Sequence, residues 1–194
     1  MPIARYLTHP QVQIDPTVPV PRWGLSARGR ERAERLRTAP WIGSIRRIVS
    51  SDETKAIETA EIVAGFAGVK IEVRERMGEN DRSSTGFLAP TEFEVVADQF
   101  FAAPDMSARG WATARAEQAR IVVAIGDVLK THDGGDILFV GHGAVGALNL
   151  CHLLGVPISR TLDQPGGGGN VYAWDIASGR VLHQWRSIED EIGM

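Results

Sequence analysis

Short apolar runs alternate with longer segments of helical periodicity along this chain, and this alternation limits the possible folds most strongly. Parallel strands need long crossover connections, so the pattern favours helices packed on both faces of a mainly parallel sheet. We therefore expect an α/β fold, a three-layer α/β/α sandwich, formed by one domain over residues 1–194. The predicted strands are residues 3–7, 45–49, 69–73 and 137–140, followed by a terminal hairpin of residues 171–176 and 181–185.

Five helices are predicted between these strands. Ser26 is a suitable N-cap for the first, and Ser50-Ser51-Asp52 opens the second. The predicted helices cover residues 27–38, 52–67, 91–102, 111–130 and 144–154. Two long segments, residues 11–23 and 75–91, lack periodicity and are expected to be surface loops. Loops of this length are often functional.

Composition limits the classes of partner. The chain has 21 Lys and Arg against 24 Asp and Glu, a formal net charge of −3, which does not favour nucleic-acid binding. No apolar run approaches the roughly 20 residues of a membrane span, and no signal-peptide core follows Met1. The single Cys151 cannot form an internal disulfide, which fits a reducing compartment. We expect a cytoplasmic protein without nucleic-acid or membrane partners. No pattern indicates an oligomeric state.

Polar residues that could perform chemistry follow three of the predicted strands. His9 ends the first strand, Ser51 and Lys55 follow the second, and His142 stands between two glycines after residues 137–140. Ligands of open α/β sheets bind at the carboxyl ends of the strands. The sequence therefore predicts a site that contains two histidines and a lysine at one edge of the sheet.

Four motifs around these residues resemble, in order, those of the histidine phosphatase superfamily (the phosphoglycerate mutase-like family). The family's Arg-His-Gly corresponds to Thr8-His9-Pro10, and its Ser-Ser-x-x-x-Arg-Ala motif to residues 50–56, which read SSDETKA. A glutamate before a glycine-containing loop corresponds to Glu79, and the final Ser/Gly-His-Gly to Gly141-His142-Gly143. The similarity covers most of the chain.

The resemblance implies phosphoryl transfer through a phosphohistidine. His9 would attack phosphorus, and His142 and Lys55 would stabilise the phosphoryl oxygens. Glu79 would protonate the leaving oxygen and then activate water. The substrate would be a small phosphorylated metabolite or a phosphoprotein, and no cofactor or metal is implied. Among active enzymes, a phosphomonoesterase is preferred to a mutase.

The motifs also depart from the family pattern. Thr8 and Lys55 replace arginines, and Pro10 replaces a glycine and removes an N–H that could bind phosphate. Arginine offers phosphate a planar fork, lysine a point charge, and Thr8 at most one hydroxyl. Losing one transition-state contact costs roughly 3–4 kcal/mol. We hypothesise that Arg22, in the loop of residues 11–23, folds back over the site as a replacement.

Two alternatives stay open from the sequence. The first is a catalytically impaired member of the fold that binds a phosphate ligand or a protein, because the arginine beside His9 is missing. The second is a metal site formed by His9, His142 and one carboxylate, although the charge of Lys55 would disfavour a metal. The run of glycines at residues 166–169 lacks the setting of a phosphate loop but could border the pocket.

Overall fold

A six-stranded mixed sheet forms the centre of the computed structural model, which describes residues 1–193. Its strands are β1 (Ile3–Thr8), β2 (Ile45–Ser50), β3 (Ile71–Val73), β4 (Asp136–Gly141), β5 (Asn170–Asp175) and β6 (Val181–Ser187). The helices are α1 (Ala27–Arg35), α2 (Thr54–Ala67), α3 (Pro90–Ala102), α4 (Ala114–Lys130), α5 (Gly143–Leu154) and α6 (Ile188–Ile192).

The strand order is β3-β2-β4-β1-β5-β6. The first four strands in that order are parallel, whereas β5 is antiparallel to both β1 and β6. Thr8 pairs with Gly141, and Ser50 pairs with Val140, so β1, β4 and β2 end side by side. The predicted mainly parallel sheet is confirmed, and its register brings the segments after these three strands to one edge.

Helices cover both faces of the sheet, which confirms the three-layer prediction. On one face, α4 and α5 supply residues such as Ile121 and Leu150, which pack against Tyr6 and Phe139 of the strands. On the other face, α2 and α6 bury Ala60 and Ile188 against the opposite side of the same strands. Alternation along β4 explains this division, because successive side chains of a strand point to opposite faces.

A third cluster lies beside these two and forms a wall near the edge of the sheet. It joins α3 to the segment that precedes α4 and to the outer side of α5. Phe100, Phe101 and Trp111 are its large buried members, and Ala147 and Leu148 are its contacts on α5. The wall therefore stands on the helical layer rather than on the sheet.

Several element boundaries differ from the sequence predictions. Strand β3 begins two residues later than expected, because Gly68 ends α2 in a left-handed conformation before Val69. Helix α4 begins at Ala114 because the Thr113 hydroxyl caps it by accepting from Ala116 N. Helix α6, whose capping box pairs Ser187 with Asp190, was missed. None of the helices within residues 1–193 is long and apolar enough to cross a membrane.

Candidate active site

His9 lies directly after β1 and is held by backbone hydrogen bonds on both sides. Its N–H donates to the Gly141 carbonyl at 3.0 Å, and its own carbonyl accepts from Gly169 N at 3.1 Å. Gly168 packs tightly here, since a Cβ at that position would lie 2.3 Å from the His9 carbonyl oxygen. Gly168 also has a φ of +64°, which favours glycine. The run of glycines therefore fixes the backbone of His9, and Gly166 and Gly167 border the pocket.

The imidazole of His9 has a defined tautomer. Its Nδ1 atom lies 2.8 Å from the carbonyl oxygen of Pro10, and a carbonyl can only accept a hydrogen bond. Burial, together with the charge of Lys55, lowers the pKa of His9 to about 4, so the ring is neutral near pH 7. A neutral ring with its proton on Nδ1 leaves the lone pair on Nε2. His9 therefore presents an unprotonated nitrogen in a ring that lines the pocket.

The second predicted histidine, His142, lies beside the first. The two ring centroids are 5.3 Å apart, with the planes inclined by 68°. His142 is fully buried, and its Nε2 lies 2.8 Å from the Ser51 hydroxyl oxygen. Its Nδ1 has no hydrogen-bond partner among residues 1–193. Burial lowers the pKa of His142, so the free site contains two neutral imidazoles.

Lys55 reaches the same edge, but its ammonium group is already engaged. It forms an ion pair with Glu53, with a contact between Nζ and Oε2, and it donates to the Val20 carbonyl at 3.0 Å. Lys55 is only 3% exposed and does not line the pocket. The structure thus brings Lys55 close to the histidines while neutralising the charge expected for phosphate binding.

Glu53 was not singled out from the sequence, yet it is central to this arrangement. Its Oε1 accepts from Glu79 N at 2.9 Å and lies 3.5 Å from His142 Nε2. Burial by itself raises the pKa of the Glu53 carboxyl, but the charge of Lys55 and the hydrogen bonds from Lys55 Nζ and Glu79 N outweigh this effect and lower the pKa. Glu53 is therefore held as a carboxylate beside His142.

Glu79 lines the pocket together with His9, at the first turn of α5. Its carboxylate accepts from Ala144 N at 3.3 Å and from Val145 N at 3.1 Å. Burial raises the pKa of Glu79, which favours a protonated carboxyl more than in an exposed glutamate. Glu79 thus occupies two of the free N–H groups at the amino end of α5.

The hydroxyl of Thr8 forms hydrogen bonds within the protein instead of the expected contact with phosphate. It donates to Gln164 Oε1 at 2.6 Å and accepts from Asn170 N at 3.0 Å. Thr8 is also fully buried. Its hydroxyl thus fixes Gln164, a residue that lines the pocket and that sequence patterns did not indicate.

The structure does not bring Arg22 to this group. Arg22 ends the short 3₁₀ turn Val20–Arg22 with its side chain exposed, and it is not among the residues lining the pocket. The physical reason is that Lys55 binds the Val20 carbonyl and holds this turn by its backbone. Arg82 lies in the pocket instead, with its guanidinium 5.1 Å from the Phe93 ring centroid and 5.7 Å from that of Trp111.

The pocket that joins these groups has a volume of about 290 Å³. His9 and Glu79 form its polar base, and Arg82 lies above the aromatic wall. Within residues 1–193, no three His, Cys, Asp or Glu side chains converge as a metal site would require. The apolar part of its lining comprises Phe93, Ala97, Phe100, Phe101, Trp111, Ala144 and Pro165.

Comparison with known proteins places this site in a family context. The sequence pattern described as the histidine phosphatase superfamily (branch 1) matches residues 14–186 and therefore begins downstream of His9. No curated protein matches the chain significantly.

Solved structures resemble the whole chain. Bacillus stearothermophilus YhfR is 22% identical with a TM-score of 0.79, and the match covers 95% of each chain. A mycobacterial glucosyl-3-phosphoglycerate phosphatase in complex with inorganic phosphate is 19% identical, with a TM-score of 0.79, over 97% of this chain and 99% of that one. Phosphoserine phosphatase from Entamoeba histolytica, in complex with 3-phosphoglyceric acid, is 17% identical with a TM-score of 0.79, over 99% and 100%.

These likenesses agree with the mainly parallel sheet. The match to the superfamily pattern spans well over half of the sequence. The chain belongs to the histidine phosphatase superfamily (branch 1).

Proposed function

We propose that this protein is a phosphomonoesterase that works through a phosphohistidine on His9. The observation that best supports the proposal is the hydrogen bond from His9 Nδ1 to the Pro10 carbonyl, at 2.8 Å. It fixes the ring so that Nε2 keeps its lone pair, and the low pKa keeps the ring neutral near pH 7. A neutral imidazole held in one orientation is a suitable nucleophile.

In the proposed reaction, His9 Nε2 forms a bond to phosphorus while the bond from phosphorus to the leaving oxygen breaks. Glu79, in its protonated form, gives its proton to that oxygen. A water molecule then attacks the phosphohistidine, Glu79 takes a proton from it, and inorganic phosphate leaves. The unpartnered Nδ1 of His142 is available to a phosphoryl oxygen. Arg82 supplies positive charge at the pocket.

The pocket favours a small phosphorylated metabolite over a phosphoprotein. Its volume of about 290 Å³ suits a compact ligand, and its wall of Phe93, Phe100 and Trp111 suits an apolar or aromatic body next to the phosphate. Two structural neighbours bind phosphate and 3-phosphoglyceric acid, respectively, which agrees with a phosphorylated ligand here.

Hydrolysis of an aryl phosphate tests this proposal. We expect turnover by the wild type between about pH 5 and 8, where His9 is neutral, and none by His9→Ala. His152→Ala is a matched control, because His152 is an exposed histidine on α5. Equal activity of the wild type and His9→Ala would contradict the phosphohistidine mechanism.

A second candidate, a phosphate-binding or protein-binding protein without catalysis, is favoured by one observation. Both positions that carry arginine in the family pattern are unavailable to phosphate, since Thr8 bonds Gln164 and Lys55 pairs with Glu53. This candidate predicts that phosphate binds the wild type without any His9-dependent turnover.

A further inference from the structure

Three groups of this site lie around the carboxylate of Glu53. Lys55 Nζ contacts Oε2, whereas Glu79 N donates to Oε1 at 2.9 Å and His142 Nε2 lies 3.5 Å from the same oxygen. A cation and a backbone N–H that both bind one anion form the kind of cradle that also binds phosphate. In this structure the anion in that cradle belongs to the protein itself.

The backbone places Glu53 there by its conformation. Glu53 stands at the N-cap of α2 with φ −77° and ψ 137°, so it is extended rather than helical. Its N–H donates to Ser51 Oγ at 3.1 Å, and this hydroxyl also contacts His142. The side chain thus turns back under the edge of the sheet and is about nine-tenths buried. An ion pair on the surface would not be enclosed in this way. The position of Glu53 beside His142 links the ion pair of Glu53 and Lys55 to the site.

We propose that Glu53 is a resident anion of the active site and a specificity-determining residue that weakens binding of doubly charged phosphate groups. This inference depends on the proposed function to the extent that phosphate binds beside His9. The charge of Glu53 cancels that of Lys55, so the pair contributes no net attraction. Glu53 Oε1 lies 3.5 Å from His142 Nε2, and the ring centroids of His142 and His9 are 5.3 Å apart.

Neutralising Glu53 is expected to strengthen phosphate binding. A unit charge within several ångströms of a bound phosphate changes the affinity for phosphate by at least about tenfold at the effective dielectric of a partly buried site. Glu53→Gln keeps the size of the side chain and frees the charge of Lys55. We therefore expect inorganic phosphate, measured by titration calorimetry, to bind Glu53→Gln at least about tenfold more tightly than the wild type.

Glu61→Gln is the matched control, because Glu61 is an exposed glutamate on the same helix. It changes the net charge by the same amount, and we expect it to leave phosphate affinity unchanged. Tighter phosphate binding by Glu53→Gln is informative, because a substitution that merely damaged the site would weaken binding. Unchanged or weaker binding by folded Glu53→Gln would overturn the proposal.

Removing the partner charge gives a second, independent comparison. Lys55→Met leaves Glu53 unbalanced and should weaken phosphate binding, whereas Glu53→Gln combined with Lys55→Met should return it close to the wild-type value. The step from Lys55→Met to the double variant tests Glu53 even if Glu53→Gln alone does not fold. If that step does not strengthen binding, Glu53 acts as a support for His142 and the proposal fails.

Failure of this inference is distinguishable from failure of the proposed function. His9-dependent turnover by the wild type, with no gain in phosphate affinity on removing Glu53, would refute the resident-anion role alone. A gain in affinity without turnover would support the role of Glu53 and refute the phosphatase.

Discussion

The hydroxyl of Tyr6 bonds both backbone groups of His142, accepting from its N–H at 3.1 Å and donating to its carbonyl at 3.2 Å. The carbonyl also accepts from Gly146 N, whereas the N–H of His142 has no second partner within residues 1–193. Tyr6 is fully buried, and a Cβ on Gly141 would lie 2.3 Å from its hydroxyl oxygen. Tyr6 is therefore a positioning residue for His142.

Tyr6→Phe should destabilise the protein and slow turnover. It leaves a buried N–H unsatisfied, which costs about 1–3 kcal/mol in the free energy of unfolding measured with urea. Tyr172→Phe is a matched control, since Tyr172 stacks on Tyr6 but bonds Asn149 instead. We expect similar destabilisation by both variants and a lower kcat only for Tyr6→Phe. Equal kcat values would rule out the positioning role.

Glu79→Gln should separate substrates by their leaving groups. An alkyl phosphate needs a proton on the leaving oxygen, so the variant should lose about 10²- to 10⁴-fold in kcat/KM. An aryl phosphate leaves more readily and should lose less. In the wild type, kcat/KM for the alkyl phosphate should fall as pH rises through the raised pKa of Glu79. A loss of the same size for both substrates would contradict a role as general acid.

Arg82→Ala should lower kcat/KM for an aryl phosphate by roughly 10²-fold, because it removes a cation from the pocket. Arg82→Lys should retain part of the activity, since it keeps the charge and loses the planar fork. Arg22→Ala removes the same charge from an exposed turn and should have no effect on kcat/KM. A larger loss of kcat/KM in Arg22→Ala than in Arg82→Ala would support the hypothesis that Arg22 folds over the site.

The neutral state of His9 should make folding sensitive to acid. Its pKa is lowered from 6.5 to about 4 in the folded protein, so the unfolded chain binds the proton more readily between these values. Stability contributed by this effect is present above pH 6.5 and is lost as pH falls towards about 4.

Urea unfolding at pH 7 and pH 5 measures that loss. His9→Asn should reduce the drop in the free energy of unfolding between these values by about 2 kcal/mol relative to the wild type. His142 and the carboxylates titrate in both proteins, so their contributions cancel in the comparison. An identical drop in both proteins would show that His9 is not held neutral by burial.

The fold could be predicted from sequence because strand and helix patterns alternate clearly. The ends of parallel strands lie at one edge of a sheet, so it could also be predicted that the segments carrying His9, Lys55 and His142 meet. Glu53 could not be predicted, because residues two apart do not face each other on a helix. It meets Lys55 only because its backbone is extended before α2 begins. Arg82 lies in a segment without periodicity, where contacts with Phe93 and Trp111 determine its position.

The wall formed by α3 and Trp111 packs on the helical layer, whereas His9 and His142 follow strands of the sheet. Substitutions in the wall can therefore reshape the space for a ligand's body without disturbing the strands that align the two imidazoles. The wall would thus select the body of a ligand, whereas the strand ends hold the groups proposed to react with its phosphate. The same proposed nucleophile could then serve many ligands as the wall diverges, so evolution could change what is bound while preserving how it reacts.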